Sequence, residues 1–159
     1  MAETRLQALL TKLERGQRKT LETLGRLTPA QWEQPIYSEP SPWTPRNLAA
    51  HFLSAEIQLL RLCENVAGGG PGAPPEFDYD AFNAEEQVRY QTLLPAELLA
   101  QLDAARQRTL AWARTIGEAQ LDLVGRHPAL GEVSLEVMIL AIYGHQLLHM
   151  RELQSKLTT

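Results

Sequence analysis

Four stretches of the chain place leucine and its apolar relatives three and four residues apart, and each is cut from the next by proline or glycine. A period of 3.6 with such punctuation admits amphipathic helices and little else. The first stretch, 3–27, carries Leu6, Leu10, Leu13, Leu24 and Leu27 with charges on the other face. It stops at Thr28-Pro29, where a hydroxyl able to cap precedes a proline suited to a first helical position, so that 29–32 forms one loose turn. Residues 34–45 hold four prolines and are read as loop. A second helix begins at Thr44-Pro45 and runs to Val66, with Leu48, Phe52, Ala55, Leu59 and Leu62 as its stripe, ended by Gly68-Gly69-Gly70-Pro71. Within the Gly/Pro-rich connection that follows, 79–91 suits a short helix anchored by Phe82 and Val88. A third helix runs from Pro95 to before Gly117, and a fourth from its cap Ser134 to Leu157, with Leu135, Met138, Ile142 and Leu153 at helical spacing. No stretch of useful length alternates with period two.

The expected fold is therefore all-α: one four-helix-bundle domain over 1–159 with a short extra helix in the long crossover. About twenty-five residues between the second and third helices can climb the full height of a bundle, so those two can run parallel, giving up-down-down-up connectivity. The size suits a single core, and 44% hydrophobic with 21% charged residues is the balance of a globular protein.

Three histidines stand out against that frame. His145 and His149 are four apart on the fourth helix, which stacks them about 6 Å along the axis and about 40° around it. They continue the stripe of Met138, Ile142 and Leu153, so they face inward. His51 lies on the inner side of the second helix, one turn from Leu48 and Ala55. In the expected topology the three rings come to a similar height. Buried imidazoles without partners would cost on the order of a few kcal/mol each, whereas a metal ion satisfies one nitrogen of each ring. Three protein ligands also leave a coordination position open, as catalytic sites do.

Other residues carry alternatives. Gln17 and Thr20 interrupt the leucine stripe of the first helix and suggest a polar patch at that height. Trp32, Tyr37 and Trp43 lie in or beside the loop at the same end and either wall a ligand pocket or close the core. Arg46 either meets an anionic substrate or faces solvent, and His127, before Pro128, is read as exposed or as a turn residue. Glu56 is expected to point away from the histidines, and Glu152 to be solvated on the flank of the stripe. Cys63 is read as a small apolar helix residue.

A net charge of −4 without a basic block argues against nucleic acid. The longest apolar run is far short of the roughly 20 residues of a membrane span, and no signal peptide is evident. A cytoplasmic location follows, and the lone cysteine agrees with a reducing compartment.

The run Trp43-Thr44-Pro45-Arg46-Asn47-Leu48-Ala49-Ala50-His51, and His127-Pro128-Ala129-Leu130-Gly131-Glu132-Val133-Ser134 leading to His145 and His149, resemble the DinB/YfiT-like superfamily and its DinB-type branch. The resemblance spans nearly the whole chain. It implies up-down-down-up connectivity, homodimerisation, and one divalent ion on His51, His145 and His149, with zinc or nickel ahead of iron or another metal. It also implies a small-molecule substrate, and either a transferase using a low-molecular-weight thiol, such as bacillithiol or mycothiol, or a metal-dependent hydrolase. A metal-binding stress-response protein without turnover is the remaining reading. On any catalytic reading the ion would lower the pKa of a water or thiol, with Trp43, Arg46 and Gln17 as candidates for the adjoining pocket.

Overall fold

A computed structural model describes residues 2–39 and 41–157. Six α-helices follow in order: α1 (Arg5–Gly25), α2 (Pro29–Trp32), α3 (Pro45–Ala67), α4 (Tyr79–Arg89), α5 (Pro95–Ala113) and α6 (Leu135–Lys156). Their starts are written locally. Thr4, Thr28 and Thr44 each accept from the backbone N–H three residues on, while Gln7, Gln31 and Asn47 reach back to the threonine N–H. Ser134 Oγ caps α6 through Val137 N at 3.3 Å. Pro40, one of the four loop prolines, lies outside the described residues.

The four long helices form the expected up-down-down-up bundle, with α1 and α3 each packed between α5 and α6. Direction follows from the ends. Arg5 at the start of α1 donates to Glu136 at the start of α6 (3.0 Å), and Gln34, just past the short α2 that follows α1, donates to the Lys156 carbonyl at the end of α6 (3.2 Å). These two helices run parallel. Leu48 and Phe52 early in α3 share one core with Leu153 late in α6 and Leu24 late in α1, and Leu110 late in α5 shares the other with Leu9 early in α1 and Met138 early in α6, so α3 and α5 run the other way.

Two apolar cores occupy the two ends. Leu24, Trp32, Phe52, Leu98, Leu102 and Leu153 fill one, and Leu9, Leu13, Cys63, Leu110, Leu121 and Met138 the other. Each such side chain contributes about 1.5–3 kcal/mol on burial. At mid-height the buried residues turn polar: Glu56, Arg106, Thr109, Gln17, Thr20 and Gln146.

Two expectations need correction. A small antiparallel hairpin, β1 (Val124–His127) and β2 (Gly131–Ser134), precedes α6 where no strand was anticipated. Its strands are four residues long, too short to show a period, and the turn depends on Gly131 at φ +74° and on His127, whose Nδ1 accepts from Ala129 N (3.1 Å) and Leu130 N (3.2 Å). His127 is thus a turn residue, but a buried one. In α4, Val88 is 63% exposed and anchors nothing, while Glu86 is buried. The reason is tertiary: Gln87 and Asn47 exchange hydrogen bonds at 2.8 and 2.9 Å, which rotates that face of α4 onto α3.

Candidate metal centre

The rings of His51, His145 and His149 meet at the end of the bundle where α6 finishes and α3 begins. Centroids lie 4.7 Å apart for His51 and His145, 4.8 Å for His145 and His149, and 5.4 Å for His51 and His149, all in edge-to-face arrangement. One nitrogen from each falls within 4.8 Å of the others. Two donors at about 2.1 Å from a tetrahedral ion stand about 3.4 Å apart, so the set fits a divalent ion with small adjustment. His51 and His145 already face each other nitrogen to nitrogen, Nε2 to Nε2 at 2.9 Å.

Burial keeps these rings uncharged. His51 is 8% exposed, and its pKa is pushed down to about 3, first by desolvation and then by the other two histidines. His145 falls to about 4 for the same first reason, and His149 is lowered by burial against a smaller upward pull from Glu152. All three are neutral at pH 7, with a lone pair available on each ring. Among the described residues no carboxylate or thiol joins the group.

Local sequence explains the placement. Thr44 and Pro45 start α3 so that His51 falls on its second turn, inward beside Leu48 and Phe52. The loop before α3 is tied back on itself, Ile36 N and Tyr37 N both donating to the Trp43 carbonyl at 2.7 and 3.3 Å. That tie delivers two aromatics. Trp43 lies 5.2 Å from His51 in a tilted stack, and Tyr37 Oη is 2.8 Å from His149 Nδ1. Lys156 Nζ covers the Tyr37 ring at 4.8 Å. Burial, and then hydrogen bonding and charge from Glu152, raise the Tyr37 phenol far above its ordinary value, so it keeps its proton at neutral pH.

Of the pocket candidates, only Trp43 reaches the rings. Arg46 is half-buried, and its Nη2 donates to the carbonyls of Tyr90, Gln91 and Leu93 at the C-terminal end of α4. Gln17 is 3% exposed and neither atom of its amide has a partner. It lines a cleft of about 430 Å³ between α1 and α5 that includes none of the three histidines. Thr20 donates instead to Gln146 at 3.0 Å, and Trp32, 7% exposed, closes the core.

Of the carboxylates, Glu56 stays clear of the three histidines, and Glu152 comes closer to them than expected. Glu56 turns inward, 2% exposed, into an ion pair with Arg106. Glu152 Oε1 approaches His149 Nδ1 to 3.7 Å. Its three-residue spacing from His149 on one helix was the available signal, since such pairs share a face. Cys63 is fully buried and its thiol is pushed up to about 12 by desolvation, as suits an inert apolar residue.

Fold and site together define a class: up-down-down-up four-helix bundles with a histidine set that can take a divalent ion between helices. The chain belongs to the DinB superfamily, whose family model matches residues 12–153. No curated protein matches the sequence itself. Among solved structures, YfiT from Bacillus subtilis, described as a probable metal-dependent hydrolase with an unusual four-helix bundle topology, is 20% identical with a TM-score of 0.73, over 94% of this chain and 86% of that one. The mycothiol-dependent maleylpyruvate isomerase is 21% identical with a TM-score of 0.76, over 96% of this chain, which spans 63% of the isomerase. The colibactin self-resistance protein ClbS, in complex with double-stranded DNA, is 17% identical with a TM-score of 0.68, over 99% of both chains. Identities this low establish the fold.

The last of these overturns an expectation. Net charge of −4 was read as excluding nucleic acid, yet a protein of this fold over its whole length is found on DNA. Net charge averages a surface, whereas docking is decided by its local pattern, so the exclusion does not stand. The expected homodimer is not shown either. Among the described residues no helix is long and apolar enough to cross a membrane.

Proposed function

We propose that His51, His145 and His149 hold one divalent ion, zinc or nickel before iron, and that the protein is a metal-dependent enzyme, specifically a thiol-dependent S-transferase acting on a small molecule. One observation carries the reading: three neutral, largely buried imidazoles present nitrogens within 4.8 Å of one another. Left without an ion, such a cluster is a poor way to fill a core, because His51 Nδ1 is also buried without a partner. A bound ion supplies Lewis acidity, which makes a coordinated thiol or water nucleophilic near neutral pH.

The chain's own residues favour the thiol. A hydrolase of this kind wants a general base within reach of the attacking water. Glu152 and Tyr37 approach His149 at Nδ1, the nitrogen that an ion on Nε2 would not use, so they orient the ring and stand behind it. Trp43, half-buried against His51, offers an apolar wall for the organic part of a substrate. The likeness to the mycothiol-dependent isomerase supports the thiol reading, and the likeness to YfiT supports hydrolysis as the second. A cytoplasmic location, where low-molecular-weight thiols are kept reduced, belongs to the same reading.

Elemental analysis of untagged protein, with His149→Ala beside it, tests the ion: near-stoichiometric metal in the parent and a large loss in the variant are expected, and equal metal in both would reject the ligand set. Bacillithiol and mycothiol are then offered with electrophiles to the metal-loaded protein. Metal-dependent conjugation supports the transferase, ester or amide cleavage without thiol supports the hydrolase, and silence in both leaves a metal-binding protein without turnover.

A further inference from the structure

The three rings are not held alike. His51 Nδ1 is buried without a partner, whereas His149 Nδ1 meets the Tyr37 hydroxyl at 2.8 Å and has a Glu152 oxygen at 3.7 Å. Tyr37 comes from a segment 112 residues away, held by its backbone bond to Trp43 and covered by Lys156 of α6. Glu152 comes from α6 itself, one turn beyond His149, on the same face.

Donor arithmetic gives this group a direction. A neutral imidazole has one N–H, a phenol one O–H, and a carboxylate only accepts. If Tyr37 donated to Nδ1, the imidazole proton would sit on Nε2, the nitrogen left for an ion, and Glu152 would face two lone pairs with no hydrogen between them. If His149 Nδ1–H donates to Tyr37 Oη, the phenol proton is free to satisfy Glu152, and Nε2 keeps its lone pair. The second arrangement pairs all three groups with one another, whereas the first leaves Glu152 to solvent.

We propose that Tyr37 is a positioning residue of the metal centre: with Glu152 as the terminal acceptor, it locks His149 in the Nδ1–H tautomer and so reserves Nε2 for the ion. This rests on the reading of the three histidines as ligands. It makes the loop between α2 and α3 part of the centre, and among the described residues His149 is the one ring of the three with a polar side chain fixing its far side. Partners of this kind are worth about 10–100-fold in metal affinity.

The test uses the full chain, zinc as probe, and the variants Tyr37→Phe, Glu152→Gln and His149→Ala. Tyr37→Phe removes only the hydroxyl. Zinc affinity should fall about 10–100-fold, and nitrogen-15 histidine spectra should show His149 leaving the pure Nδ1–H tautomer, while the melting temperature of the metal-free protein stays near that of the parent. A hydroxyl that merely fastened the loop would lower the melting temperature and leave the tautomer unchanged. Glu152→Gln, whose amide oxygen still accepts from the phenol, should lose less. If Tyr37→Phe binds zinc within about twofold of the parent and keeps the tautomer while His149→Ala abolishes binding, the role of Tyr37 is rejected and the ligand set stands. If His149→Ala binds zinc like the parent, the ligand set fails and the role of Tyr37 with it.

Discussion

At mid-height of the bundle Arg106 and Glu56 are buried as a pair, 0% and 2% exposed, while at one end three imidazoles are buried together. The first cluster is closed. Arg106 Nε and Nη2 grip both oxygens of Glu56 (2.7 and 3.0 Å), Nη1 donates to the Leu13 carbonyl (2.7 Å), and Thr109 adds a hydroxyl to Glu56 (2.8 Å). The second is open, with mutually facing nitrogens and one orphaned Nδ1. Both sit among apolar side chains in one fold, so burial alone does not separate structural polarity from functional polarity. What separates these two clusters is satisfaction: a charge pair that meets its own needs has nothing left to offer a ligand.

The largest effect that would test this contrast is in the closed cluster. Arg106→Met should destabilise by about 3–5 kcal/mol, read by urea denaturation, because Glu56 is left charged and alone, and the double variant with Glu56→Leu should recover most of it. A single variant as stable as the parent would mean that Glu56 already reaches solvent. Next comes the metal: zinc at about 100 times its Kd should add about 2.7 kcal/mol to the parent. That increment should vanish in His149→Ala and survive in a folded Arg106 variant. Its persistence in His149→Ala would dissolve the distinction between the clusters. Smaller again, His51→Leu should change the stability of metal-free protein by about 1 kcal/mol, because the site loses an orphaned polar atom as well as a ring. A loss comparable to that of Arg106→Met would show the histidines to be structural.

The smallest effect belongs to a fourth buried ring. His127 holds its own turn through Nδ1 while its Nε2 is buried without a partner, and burial lowers its pKa below the ordinary 6.5. A lowered folded pKa means that the unfolded chain takes up the proton first, so the contribution is whole above pH 6.5 and declines as pH falls toward the folded value. The stability difference between parent and His127→Asn should therefore shrink on acidification from pH 8 to 6. A difference that stays constant would show that Nδ1 is not the acceptor holding the turn.

Much of this protein is legible without coordinates. Helix starts at Thr28, Thr44 and Ser134, the breaks at Gly68 and before Pro95, and the inward face carrying His51, His145 and His149 all depend on neighbours within four residues, which is the range of capping and of helical period. The hairpin before α6 was not legible, since four-residue strands have no period to read and their register is set by a glycine at positive φ and a buried ring.

Which partner each polar side chain takes was decided only in three dimensions. Arg46, Glu56 and Glu152 can be read from the chain only by position on a helix face, and their partners are the end of α4, Arg106 and the ring of His149. The chain fixes the face along which a side chain leaves its own helix through local geometry. What it meets there depends on the rotation and spacing of other helices, set by packing over the whole core, and a long polar side chain will turn several ångströms to reach the nearest unsatisfied group.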